Sequence, residues 1–177
     1  MTGWKHGGAK CRVALISTGG TIEKTYDELE GVMTNEVSVL DVMLASLQLD
    51  GIVLERVALM NKDSLDMSEK DHEFIASTAL HKAEECDAIV IVHGTDRLAN
   101  TGDRIYQLNP NPPVPIVLTG AMRPYAMRST DALQNLTEAF LAVQLATPGV
   151  YAAMHNKLLS FPGVEKDKVA GTFRKGD

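Results

Sequence analysis

The stretch Ala88-Ile89-Val90-Ile91-Val92-His93-Gly94-Thr95-Asp96 opens on five apolar residues with no polar alternation. That is the pattern of a strand buried on both faces of a sheet, the habit of parallel sheets flanked by crossover helices. The run breaks at a histidine, a glycine and two small polar residues. Whatever they carry is therefore presented at the carboxyl end of a central strand, where open parallel sheets place their ligand crevice.

The same alternation extends outward. Residues 12–17 (RVALIS) predict a first strand that ends at Thr18-Gly19-Gly20-Thr21, and residues 52–60 predict another. Residues 68–85 have helical spacing, with Ile75, Ala79 and Ala83 on one face. Leu98, Thr101, Ile105 and Leu108 recur at 3-4-3 spacing, so a helix follows the 88–92 strand. A Pro-rich loop over 109–115, a short strand over 116–118 and a helix over 130–146 come next, the helix turning Leu133, Leu136, Phe140 and Val143 inward. Residues 150–154 are expected to form the last strand, and the polar stretch 23–35 a long loop. Ser38 and Asp41 have capping-box spacing ahead of Leu40, Leu44 and Leu47. The expectation is one α/β domain over residues 1–177, with residues 1–10 loosely ordered. It should have three layers, a mainly parallel sheet with helices on both faces.

Composition excludes several function classes. The chain has 177 residues, 45% hydrophobic and 23% charged, an ordinary globular balance and not a disordered one. Lys+Arg 17 against Asp+Glu 23 gives a net charge of −6, the wrong sign for nucleic acid or an anionic membrane. Cys11 and Cys86 form no CxxC pair, and each sits by an apolar run as a free, hydrophobic thiol. Residues 1–10 contain no apolar core of a secretory signal, and no apolar run reaches the ~18 residues of a membrane span. The cytoplasm is the expected compartment.

The chemistry should sit at the two hydroxyl-bearing strand ends, TGGT (18–21) and HGTD (93–96). Glycines there allow a tight turn and leave backbone N–H groups exposed to an anion or oxyanion. A threonine hydroxyl is a weak nucleophile and needs a base. His93 precedes its glycine and is expected to be structural, while His6, His72, His81 and His155 show no pairing with Ser or Thr and no metal-ligand spacing. A desolvated lysine is the alternative base, with candidates in Val164-Glu165-Lys166-Asp167-Lys168. Each motif also has a plainer reading. TGGT equally suits a β–α turn or a flavodoxin-type phosphate loop, and HGTD suits a helix N-cap. Ser64 alone is an ordinary turn serine, Tyr26 a surface aromatic, and Lys166 part of a solvated charge run. Arg128 and Asp131 are expected to position a loop and a helix start.

Taken together, TGGTI (18–22), Asp63-Ser64, HGTD (93–96) and GAMRP (120–124) resemble the L-asparaginase family, in order and in spacing, from about Arg12 to about Phe173. The resemblance implies a fold like the N-terminal domain of those enzymes and a threonine nucleophile acting on L-asparagine through an acyl-enzyme. It implies Thr21 as nucleophile and a triad of Thr95, Asp96 and Lys166. Tyr26, followed by Gly31, matches a loop tyrosine that orients Thr21. Ser64 would bind the substrate α-carboxylate and Asp96 its α-ammonium, with Gly20, Gly94 and Ala121 lining the site and the Thr95 backbone N–H helping to hold the oxyanion. No metal or organic cofactor is implied, and a homo-oligomer is. Two departures stand out. Leu65 replaces a polar residue common after the family's serine, and the family's C-terminal domain, whose acid reaches the substrate ammonium of a neighbouring protomer, is absent from these residues. Weak binding, with a millimolar KM, is the expectation. A glutaminase-leaning enzyme, a flavin-binding protein and a non-catalytic amino-acid-binding module remain alternatives.

Overall fold

A computed structural model describes residues 10–34 and 39–176. Its centre is a six-stranded sheet built from β1 (Cys11–Gly19), β4 (Ile52–Lys62), β5 (Ala88–Val92), β6 (Pro115–Thr119), β7 (Gly149–Met154) and β8 (Lys157–Ser160), in the order β4-β1-β5-β6-β7-β8. The first five run parallel, and β8 closes the edge antiparallel to β7. Two short hairpins stand apart from it, β2 (Thr25–Asp27) with β3 (Val32–Thr34) and β9 (Val164–Asp167) with β10 (Thr172–Lys175).

Strand side chains alternate between two cores, which is why both faces need a helical layer. Ala14, Ile16, Ile89, Ile91, Ile116 and Leu118 face one side, where they meet α2 (Glu69–Ala83) and α3 (Leu98–Leu108). Val13, Leu15, Val90, Val92 and Val117 face the other, where they meet α1 (Leu40–Ala45) and α4 (Ala132–Leu145). The three-layer, mainly parallel expectation holds.

The crossovers do not all share one hand. The step from β1 to β4 passes through α1 on one face. The steps from β4 to β5 and β5 to β6 go the opposite way across the sheet through α2 and α3 on the other face, which preserves the hand. The step from β6 to β7 continues in that second direction, yet α4 lies on the face of α1. Its hand is therefore reversed, and since about 98% of such units are right-handed, β6–α4–β7 is the left-handed exception.

Several local expectations need correction. Residues 23–34 are not simply loop, because Thr21–Glu23 makes a 3₁₀ turn and the β2–β3 hairpin follows, while Asn35 lies outside the described residues. Residues 150–154 are not the last strand: β8, β9 and β10 come after. Their signal was the pair His155-Asn156, both at positive φ (53° and 61°), a two-residue hairpin turn. The capping box with both partners in place belongs to Ser68 and Asp71 at the start of α2. Ser38 and residues 1–9 lie outside the described residues, and α1 has Val39 at its N-cap. Leu133 is only partly buried, and Leu108 is exposed. Cys11 and Cys86 are free and buried, and burial pushes both thiols up. Among the described residues no helix is long and apolar enough to cross a membrane.

Candidate active site

Glycine contacts draw the carboxyl ends of four strands together. Gly20 adopts φ 85°, and a Cβ there would lie 2.3 Å from Gly94 Cα. A Cβ on Gly94 would lie 2.6 Å from both Cβ and Oγ of Ser64, and one on Gly120 would lie 2.3 Å from the His93 carbonyl oxygen. No side chain fits such gaps, so the TGGT, HGTD, Asp63-Ser64 and Gly120-Ala121 segments touch only because glycine occupies these positions. Thr18 Oγ1 donates to the Val92 carbonyl (2.9 Å) and Lys24 Nζ to Asp63 Oδ2 (2.6 Å), so β1 is tied to β5 and the turn after β1 to the turn after β4. The Lys24 ammonium holds the Asp63 carboxyl below the usual carboxylate range, and the field of Lys166 adds to it.

Lys166 reaches the same place from β9. Its Nζ donates to Thr95 Oγ1 and to Asp96 Oδ1, both at 2.8 Å. Thr95 is buried, and the Lys166 side chain is only 18% exposed, unlike a solvated charge run. Three apolar residues seat this segment. Val164, Phe173 and Phe161 join the core formed with α2 and α3. Phe161 packs against Gly102 of α3, where a Cβ would meet its ring at 2.0–2.4 Å. Neither Thr95 nor Asp96 caps α3, whose N-cap is Arg97 without a side-chain capping bond, so both polar groups stay available to Lys166.

The other sequence-derived residues fall around this centre. Ser64 is 1% exposed, and its hydroxyl has no hydrogen-bond partner among the described residues. A buried hydroxyl left in that state carries a desolvation cost that a bound polar group would relieve. Thr21 opens the 3₁₀ turn next to Gly20 and is partly exposed. Ala121 is buried beside Gly120. Leu65 is 60% exposed. Tyr26 is not gathered in: it sits 59% exposed on the β2–β3 hairpin, paired across it with Met33. Among the described residues no group of three His, Cys, Asp or Glu could hold a metal ion.

Sequence spacing understates the histidines, for three of them pair with threonines. His93 Nδ1 lies 2.8 Å from the Gly94 carbonyl oxygen, and its Nε2 lies 2.7 Å from Thr101 Oγ1. Thr101 Oγ1 in turn lies 2.7 Å from His72 Nδ1. Complete burial pushes the His93 pKa down to about 4, so the ring is neutral at pH 7. His155 bridges Asp131 Oδ2 (2.7 Å) and Thr172 Oγ1 (3.0 Å). Burial alone would raise the Asp131 carboxyl. The N–H groups of Met122 and Arg123, with His155 and Asn135, outweigh it and hold the carboxyl low. Asp131 thus fastens the GAMRP turn to the start of α4, as the sequence implies. The helical i, i+3 spacing of Leu98 and Thr101 marked Thr101 as inward-facing, but nothing local indicated that two histidines would meet it there.

The sequence matches the family model described as Asparaginase, N-terminal, over residues 12–173. It is 33% identical over 157 residues to an L-asparaginase of Thermococcus kodakarensis, covering 88% of this chain and 47% of that protein. It is 34% identical over 155 residues to a Glutamyl-tRNA(Gln) amidotransferase subunit of Methanobrevibacter smithii, covering 86% of this chain and 35% of that one. The solved thermostable L-asparaginase from Thermococcus kodakarensis superposes with a TM-score of 0.83 at 32% identity, over 93% of this chain and 51% of that one. The chain spans about half or less of the length of these relatives. The matched stretch begins at the first buried strand and ends in the hairpin that carries Lys166, and the chain belongs to the asparaginase family.

Proposed function

We propose that this chain hydrolyses the side-chain amide of L-asparagine, releasing aspartate and ammonia. The observation that carries the reading is Lys166 Nζ at 2.8 Å from both Thr95 Oγ1 and Asp96 Oδ1, which joins a hydroxyl and a carboxylate through one lysine nitrogen at the head of the sheet. In this reading Thr21 Oγ attacks the amide carbon. Ammonia leaves with the threonine proton, and water then cleaves the β-aspartyl ester. Lys166, acting as the free amine between Thr95 and Asp96, takes up the proton of the attacking group through the Thr95 hydroxyl and returns it to the leaving group, an assistance typically worth 10²–10⁴-fold. Ser64 receives the substrate α-carboxylate, which supplies its unsatisfied hydroxyl with a partner. Asp96 receives the α-ammonium, and Gly20, Gly94 and Ala121 line the cleft. Tyr26 orients Thr21 only if the β2–β3 hairpin folds inward from its exposed position. A homo-oligomer of this chain in the cytoplasm belongs to the same reading.

The test is ammonia release from asparagine and glutamine by wild type, Thr21→Ala, Thr95→Val and Lys166→Met. Each variant is expected to lose at least about 100-fold in kcat. Wild-type rates in all three would overturn the assignment. A second reading is favoured by the relatives whose names make them part of a Glutamyl-tRNA(Gln) amidotransferase. In it, the same amide cleavage hands its ammonia to a second protein. Saturable ammonia release by the isolated chain supports the first reading, and turnover that appears only with an added partner supports the second. Family membership sets aside the flavin-binding alternative.

A further inference from the structure

The Gly94–Thr95 peptide is held from behind by a chain of buried polar groups that the proposed chemistry does not use. Gly94 carbonyl oxygen, His93, Thr101 and His72 follow one another at 2.8, 2.7 and 2.7 Å. His93, Thr101 and His72 are each no more than 1% exposed, and the two imidazoles lie nearly parallel with centroids 6.1 Å apart. The proton order along this chain follows from its first member. A carbonyl oxygen can only accept, so His93 Nδ1 must carry the proton. In the neutral ring Nε2 is then a bare acceptor, and Thr101 must donate to it. Having spent its one proton, the Thr101 oxygen accepts from His72 Nδ1–H. His72 Nε2 ends the chain as a bare acceptor, and it has no partner among the described residues. The reverse order would set two lone pairs against each other at 2.8 Å between His93 and Gly94.

We propose that His93, Thr101 and His72 are positioning residues that aim the Thr95 backbone N–H at the reacting centre. The peptide is planar and trans, so the Gly94 C=O and the Thr95 N–H point to opposite edges of one plane. Fixing the carbonyl from the α2–α3 side fixes the direction of the N–H toward the cleft. Lys166 fixes the Thr95 hydroxyl, and the relay fixes the Thr95 main chain. Preset donors of this kind stabilise an oxyanion because they need no reorganisation during the reaction. His72 belongs to the relay because its donated proton leaves the Thr101 hydroxyl only one productive direction. This inference rests on the amidohydrolase reading for its kinetic consequence, but not for its proton order.

Two measurements on the whole chain separate the cases. Nitrogen-15 NMR of the imidazoles is expected to show the Nδ1–H tautomer for both His93 and His72 in wild type. In Thr101→Val, which removes the hydroxyl at nearly constant volume, kcat is expected to fall roughly 10- to 100-fold with KM changed less than about 3-fold. Thr101→Ser, which restores the hydroxyl, is expected to recover kcat to within about 3-fold of wild type. An Nε2–H tautomer at His93 overturns the proposal whether or not the protein is active, so it decides the case even if Thr101→Val does not fold. A folded Thr101→Val with wild-type kcat, or a Thr101→Ser as impaired as the valine variant, overturns it as well. Absence of ammonia release from wild type would instead defeat the functional reading and leave the tautomer result to judge the relay.

Discussion

At Gly94 a methyl group would lie 2.6 Å from Cβ and Oγ of Ser64 and 3.1 Å from its backbone nitrogen. Two of those atoms belong to a short side chain on a tight turn and the third to backbone, so none can swing away. Gly94→Ala is therefore expected to push the Ser64 turn and the Thr95 strand end apart. Ammonia release should fall about 100-fold while the folded state survives, since the displaced groups lie outside both cores; assays beside circular dichroism check this, and an alanine variant with wild-type turnover would refute it. Short motifs pointed to Thr21, Ser64, Thr95 and Asp96 and the family resemblance to Lys166; of these, Ser64, Thr95, Asp96 and Lys166 meet through the Gly94 contact or the Lys166 hydrogen bonds. The relay was not legible. His72 and His93 are separated by a whole strand–helix unit, and only the packing of α2 against α3 brings them to the same hydroxyl.

Among the elements, the β9–β10 hairpin depends on α3 for its seat. Phe161 fills the notch left by Gly102, where even a methyl group would overlap the ring. Gly102→Ala is expected to cost about 1–3 kcal/mol by overpacking and to lower kcat further by displacing Lys166, a loss that urea titration and ammonia release measure together. If activity fell no more than stability requires, the link between notch and lysine would be wrong. Ser68→Ala should cost about 1 kcal/mol by removing one half of the capping box on α2, with kcat unchanged. The long elements could be read from periodicity, since β5, α3 and α4 each bury one consistent pattern. The short ones could not. Strands β8 to β10 have four residues each, at least half of them polar, and tertiary contacts at Phe161, Val164 and Phe173 override their weak local signal. Nor could the left-handed β6–α4–β7 unit be foreseen, because the face taken by α4 is decided by the loop that carries GAMRP and is tied down at Asp131.

Across the molecule, two buried neutral histidines give stability a defined dependence on pH. The His93 pKa is about 4 in the folded chain against an ordinary value of 6.5, and burial lowers His72 in the same direction. Between these values the unfolded chain binds more protons, so stability rises with pH. The His93 contribution is fully present above pH 6.5 and is lost as pH falls toward 4, to a total of about 3 kcal/mol. Urea midpoints at about pH 7.5 and about pH 4.5, on either side of most of that loss, should differ less in His93→Gln than in wild type. Equal differences would rule this origin out. The long-range order of the sheet is secured by two apolar layers, but the site is not built from that sheet alone. Lys166 rides on a two-stranded hairpin that shares no ladder with the central sheet and is seated on it through Val164, Phe173 and a few side-chain hydrogen bonds. Units joined to a body by side chains alone, with no shared ladder, open at lower free energy than the body they rest on. On warming, the lysine should drift from Thr95 while far-ultraviolet dichroism still reports intact layers, so turnover would fade reversibly some degrees below the melting transition. Such a chain would stop working before it stopped being folded, and cooling alone would restart it.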